Sequence, residues 1–150
     1  MAESATVKPV VTGHVGINVT NLEHSKDFYM KAIGLELMGE STEEDKQYAF
    51  LSDGQRLVLT LWQQSEGRFD AQTPGLHHLA FEVGSLSEVE VAMKRLGEMG
   101  VGILHDGIVA HGEGAPSGGI YFEDPDGTRL EIYSPDAGED HTAPAGEAPT

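Results

Sequence analysis

The chain has 150 residues, 39% of them hydrophobic, a formal charge of −16 and no cysteine. That length and apolar share suit one compact domain, or two small halves sharing a core, and leave little room for a second independent domain. Without cysteine there are no disulfides, thiolate ligands or thiol nucleophiles, and without a lysine or arginine cluster nucleic acid is not an expected partner.

Taken in chain order, residues 1–10 read as a disordered N-terminus. TGHVGINV (12–19) then reads as a strand with Val15, Ile17 and Val19 on one face and His14, Gly16 and Asn18 on the other. A helix is predicted from Leu22 to Ile33, stopped by Gly34. Shorter strands follow, with SDGQR (52–56) as a hairpin signal and QRLVLTLW (55–62) as the last strand. After a linker over 64–74, LHHLAFEV (76–83) repeats the opening strand, with Leu79, Phe81 and Val83 apolar and His78, Ala80 and Glu82 opposite. The second helix starts near Ser85 or Ser87, with Glu88 or Glu90 completing a capping box, and stops at Gly100. The stretch 136–150 is rich in Ala, Pro, Gly and acids, has almost nothing to bury, and reads as a disordered acidic tail. No stretch approaches a membrane span and the N-terminus lacks the pattern of a secretion signal, so the expectation is a soluble, cytoplasmic protein that engages no membrane.

His14 and His78 are 64 residues apart, and other landmarks follow the same spacing loosely: Gly34-Leu35 matches Gly100-Val101, and SDGQR matches PDGTR (125–129). The drift fits loop insertions in a duplicated unit. The expected fold is α+β: two βαβββ units in tandem, 11–63 and 75–135, forming a cupped mixed sheet with helices outside and one domain over 11–135.

The last hairpin can be read closely. Pro125 and Gly127 suit a three-residue loop that pairs Asp124 with Thr128, hence Tyr121 with Glu131. Ile120, Phe122, Leu130 and Ile132 then share a core face, and Tyr121, Glu123, Arg129 and Glu131 share a polar one.

His14, His78 and Glu131 all lie on the non-core face, the two histidines at repeat-equivalent positions. Two imidazoles and one carboxylate form a facial triad suited to Fe(II), and also to Mn(II), Ni(II) or Zn(II). By the same alternation Tyr48, Phe50, Arg56, Thr60 and Trp62, with Arg129 from the second unit, would line the cup and contact a small organic substrate. His77 has the opposite parity and is expected to face the helix side or an interface. His24, His105 and His141 have no evident partners.

The duplicated pattern, the histidine at the start of each first strand, and GIYFEDPDGTRLEIYSP (119–135) resemble the vicinal oxygen chelate superfamily of glyoxalases, bleomycin resistance proteins and extradiol dioxygenases, over residues 11–135. The resemblance implies metal ligands His14, His78 and Glu131, with Val58 at the first unit's counterpart of Glu131. Valine cannot ligate, so the four-ligand pattern of glyoxalase I is broken and the three-ligand pattern of extradiol dioxygenases and fosfomycin enzymes remains. Resemblance to the extradiol members further implies Tyr121 and His111 as catalytic groups, although the histidine those enzymes place shortly before their second ligand has no counterpart here.

The leading expectation is therefore an enzyme with one divalent metal, Fe(II) favoured, cleaving the ring of a small substrate with vicinal oxygens. Isomerase, epimerase or transferase chemistry on the same site, and a drug-binding protein without catalysis, stand as alternatives. A homodimer is expected, with the site formed within one chain or shared between two.

Overall fold

The computed structural model describes residues 7–112 and 115–135. The expected tail, 136–150, and the first six residues of the expected N-terminal segment lie outside them. The first unit is β1 (Val15–Val19), α1 (Leu22–Ala32), β2 (Glu36–Glu43), β3 (Lys46–Ser52) and β4 (Leu57–Gln63); the second is β5 (Leu79–Glu82), α2 (Leu86–Glu98), β6 (Leu104–Ala110), β7 (Gly118–Glu123) and β8 (Arg129–Ser134). This is the βαβββ duplication read from the sequence.

Each unit folds its strands into a four-stranded mixed sheet, in the orders β1-β4-β3-β2 and β5-β8-β7-β6. The helix carries the chain over one face, so the first strand meets the last in parallel while the others pair antiparallel through tight turns. Asn21 caps α1 by accepting from the His24 N–H, and Ile33 ends it just before Gly34, whose φ of +86° a side chain would resist. Ser85 caps α2 by accepting from the Glu88 N–H, while the Glu88 carboxylate accepts from the N–H of Gly84. The reciprocal bond thus falls one residue earlier than a standard capping box.

Both helices and the apolar face of both sheets share one core, containing Ile17, Val19, Phe28, Tyr29, Leu59, Leu61, Val89, Leu96, Ile120, Phe122, Leu130 and Ile132. Each large side chain buried there contributes about 1.5–3 kcal/mol. The units meet through this helix-bearing side. Phe28 of α1 packs on Phe122 of β7 with ring centroids 6.3 Å apart, and Arg95 of α2 donates to the carbonyl of Ala32 at 3.4 Å.

The β7–β8 hairpin adds the polar part of this joint. Asp124 accepts from the backbone N–H groups of Asp126 and Thr128 at 2.8 and 2.9 Å, and from the Tyr29 hydroxyl of α1 at 2.6 Å. Asp126 accepts from the Thr20 N–H at 3.0 Å and from the Thr20 hydroxyl. In the linker, the Phe69 N–H donates to the Asp126 carbonyl at 2.9 Å. Burial holds the Asp124 carboxyl above its usual range, and burial together with the charge of Asp124 drives the Tyr29 phenol far above its own. The loop closes as expected, with Gly127 at φ +86° donating to the Asp124 carbonyl and Tyr121 paired with Glu131.

Candidate metal centre

His78 is the residue immediately before β5, and β5 pairs in parallel with β8 so that Ala80 stands beside Glu131. The register brings His78 Nε2 to 3.3 Å from Glu131 Oε1. The other carboxylate oxygen, Oε2, lies 2.6 Å from His111 Nε2. Glu131 is only 4% exposed, and a carboxylate so deep needs such partners on both oxygens.

His111 is itself held. Its Nδ1 lies 3.1 Å from the Ser117 hydroxyl, and its backbone N–H donates to the Ser117 carbonyl at 3.0 Å across the β6–β7 turn. The imidazole is thereby aimed at the carboxylate. Tyr121, beside Glu131 on β7, presents its ring edge-on to His78 at 6.0 Å. Burial and the neighbouring Glu131 charge hold its hydroxyl above the ordinary phenol range, so it remains a proton donor near neutrality. Arg129 lies close enough to oppose that shift.

Of the two placements expected for His77, the helix side is not the one adopted: its Nδ1 lies 2.8 Å from His78 Nδ1 and the residue is exposed, which leaves an interface open to it. Both histidines precede the first residue of the β5 ladder, where strand alternation does not apply.

His14 is the residue immediately before β1, the counterpart of His78, and is exposed. It lines a cavity of about 230 Å³ with Thr12, Arg56, Val58, Leu79 and Phe81. Among the described residues no three histidine or carboxylate side chains of one chain converge tightly enough to hold a metal ion. His78 and His111 each contact Glu131, and His14 shares its cavity with Leu79 and Phe81, just beyond His78. The hydrogen bonds joining the units run through the helix-bearing side, and His14, Gly16 and Asn18 lie on the opposite face of their sheet.

The first unit's counterpart of Glu131 is Thr60, not Val58. Gly16 pairs with Thr60 as Ala80 pairs with Glu131, and Phe50 pairs with Thr60 as Tyr121 pairs with Glu131. Leu51 pairs with Leu59 but Ser52 with Leu57, so Val58 is the extra residue of a β-bulge. Counting from the Asp-Gly turn overlooks that bulge. Thr60 is 3% exposed and accepts from Trp62 Nε1 at 2.9 Å, so this position too presents a hydroxyl committed to its neighbour rather than a carboxylate.

Around Thr60 the expected aromatic wall is present. Tyr48 stacks on Phe50 at 4.8 Å and meets Trp62 at 5.2 Å. Gly16 makes room for it, since a Cβ there would lie 2.9 Å from Thr60 Oγ1. Arg56 stands in the turn before β4 and donates to the Thr12 carbonyl at 3.1 Å, near His14 rather than against the wall. The sequence reading passed over Ser117, whose only trace is its position in the turn after His111. It also passed over Tyr133, whose ring lies 5.2 Å from His111 and whose hydroxyl donates to Glu82 at 3.2 Å.

Comparison with known proteins agrees with this architecture. Over 124 residues the chain is 30% identical to a catechol-2,3-dioxygenase of Bacillus subtilis (strain 168), covering 81% of this chain but 40% of that protein. Over 120 residues it is 32% identical to a trivalent organoarsenical cleaving enzyme of Bacillus sp. (strain MD1), covering 80% of this chain and 70% of that one. Among solved structures, a glyoxalase/bleomycin resistance protein/dioxygenase domain from Frankia sp. superposes with a TM-score of 0.72 at 21% identity, covering 89% of this chain and 95% of the other. A fosfomycin resistance protein from Listeria monocytogenes gives 0.64 at 18% identity, covering 85% and 94%. The model of the glyoxalase/bleomycin resistance protein/dioxygenase superfamily matches residues 12–132, and the chain belongs to that superfamily.

Proposed function

We propose that the protein is a metal-dependent enzyme acting on a small organic substrate with two neighbouring oxygens, with ring-cleaving dioxygenation as the first reaction to test. The observation that carries this reading is Glu131, a buried carboxylate set against His78 at the strand position where the superfamily's fold gathers its donors. The nitrogen and oxygen donors fit Fe(II) or Mn(II), and thiolate-preferring ions are disfavoured. His78 and Glu131 of one chain would hold the ion together with the exposed His14, contributed by the same chain or by the partner subunit of a homodimer.

When bound, a divalent ion supplies Lewis acidity to the two substrate oxygens, and as iron it also supplies redox chemistry. The chain's own groups have separable tasks. His111, fixed by Ser117, orients the Glu131 carboxylate through Oε2. Tyr121 keeps its proton near neutrality and can donate it to a substrate oxygen. Tyr48, Phe50 and Trp62 offer an apolar wall to a flat ring and keep water from it.

Metal analysis tests the site and mixed dimers test its sharing. Wild type should hold one ion per chain, and His14→Ala and Glu131→Ala homodimers none. A mixed dimer of those two variants should recover half the wild-type metal if the site is shared between chains, and none if it lies within one chain. Dioxygen consumption with catechol tests the reaction. Because the match spans a larger share of the organoarsenical enzyme, cleavage of a trivalent organoarsenical without dioxygen uptake is the second reading.

A further inference from the structure

The β6 strand is broken in its middle. Leu104 pairs with Tyr121 and Val109 with Gly119, so the four residues 105–108 stand opposite Ile120 alone. Within this bulge His105 and Asp106 both adopt left-handed backbone, φ +58° and +61°, which side chains resist. Two successive non-glycine residues held this way are a strain that surrounding structure must impose, and such strain clusters at ligand sites. Both side chains are exposed, and neither makes a hydrogen bond among the described residues that would account for the conformation.

What the bulge does accomplish is visible at Tyr121. The His105 ring stands edge-on to it at 5.7 Å and an interplanar angle of 87°, and the His78 ring meets the same phenol at 6.0 Å. The imidazole is thus placed on the face that carries Glu131, with both ring nitrogens available to a ligand. Arg129 adds a positive charge near the same phenol. An imidazole and a guanidinium near one phenol give donors for an anionic group in a chain of net charge −16, beside the Glu131 carboxylate.

We propose that His105 is a specificity-determining residue that the bulge exists to present. It takes an acidic group, such as a carboxylate, on the part of the substrate beyond its chelating oxygens. The inference extends the enzyme reading above, which supplies the position of those oxygens.

The test compares wild type with His105→Gly, which suits the left-handed backbone, and His105→Gln, which keeps a hydrogen-bond donor. Melting checks folding and the strain: His105→Gly should melt a few degrees higher than wild type. Isothermal titration of metal-loaded protein then compares catechol with 3,4-dihydroxybenzoate. Wild type should prefer the carboxylate-bearing probe by about tenfold, the worth of one charge-assisted hydrogen bond. His105→Gly should lose that preference while binding catechol unchanged, and His105→Gln should keep part of it.

Benzoate added to metal-free protein separates this inference from the metal reading. Binding that His105→Gly abolishes supports the acidic-group site even if no catechol binds in the presence of metal. Equal affinity for both probes in wild type, or an undiminished preference in His105→Gly, overturns the inference while leaving the metal site standing. So does failure of wild type to bind benzoate or 3,4-dihydroxybenzoate.

Discussion

The second unit buries a glutamate where the first buries a threonine, and most of the contrast between the halves follows from that exchange. Around Glu131 the neighbours are imidazoles and a phenol that can accept, donate and ligate. Around Thr60 they are Tyr48, Phe50 and Trp62, packed on one another. One duplicated sheet thus gathers groups that can ligate and exchange protons and the other an aromatic cluster, although strand order is the same in both.

The largest break in that contrast should come from Glu131→Ala. It strips His78 and His111 of their shared partner and should lower metal affinity by more than about 100-fold, measured as metal content after dialysis. His14→Ala should lose metal as well yet melt within about 0.5 kcal/mol of wild type, since its residue is exposed.

The first unit is broken instead by packing. Gly16→Ala would press a methyl group onto Thr60 Oγ1 and towards Trp62 Nε1, and should destabilise by about 1–3 kcal/mol in denaturant melts. Its counterpart Ala80 already carries that methyl group beside Glu131.

The joint between the units comes next. Tyr29→Phe leaves an Asp124 oxygen without its phenol and should cost about 1–3 kcal/mol.

The smallest effect concerns pH. The folded pKa of Asp124 is raised above 3.8, so its contribution to stability is fully present below the unfolded value and is lost as pH rises through the folded one. Asp124→Asn removes that dependence. As pH rises from about 4 to 7 the stability difference should therefore move in the variant's favour. A difference that stays constant across this range would mean that the burial of Asp124 is offset by its hydrogen bonds.

Much of this was legible in the chain because alternation and turn chemistry are local. The loop after Asp124 fixes the pairing of Tyr121 with Glu131, and from that pairing the polar face of β7 and β8 follows. Where the ladder slips, local reading fails. The bulge at Val58, with one more residue between Gly54 and the paired strand than follows Gly127, shifted the first unit's count by two, and the bulge over 105–108 carried His105, read as a loop residue without partners, onto Tyr121. The placement of His14 depends on how the two units face each other, and the contacts that join them, Phe28 on Phe122 and the Asp124 and Asp126 carboxylates on Tyr29 and Thr20, pair residues far apart in the chain that no local pattern links.

The Asp124-Pro125-Asp126-Gly127 turn has a consequence for how the gene could be divided. Its backbone sets where Glu131 falls along β8, while its two carboxylates are tied to Thr20 and Tyr29 of the other half. Cut out on its own, the second half would keep both residues of the proposed ligand pair, His78 and Glu131, and lose the contacts that tie the turn to the first half. The duplication has given up the independence of its copies: the turn that sets the register of one half's carboxylate is also bonded to the other half.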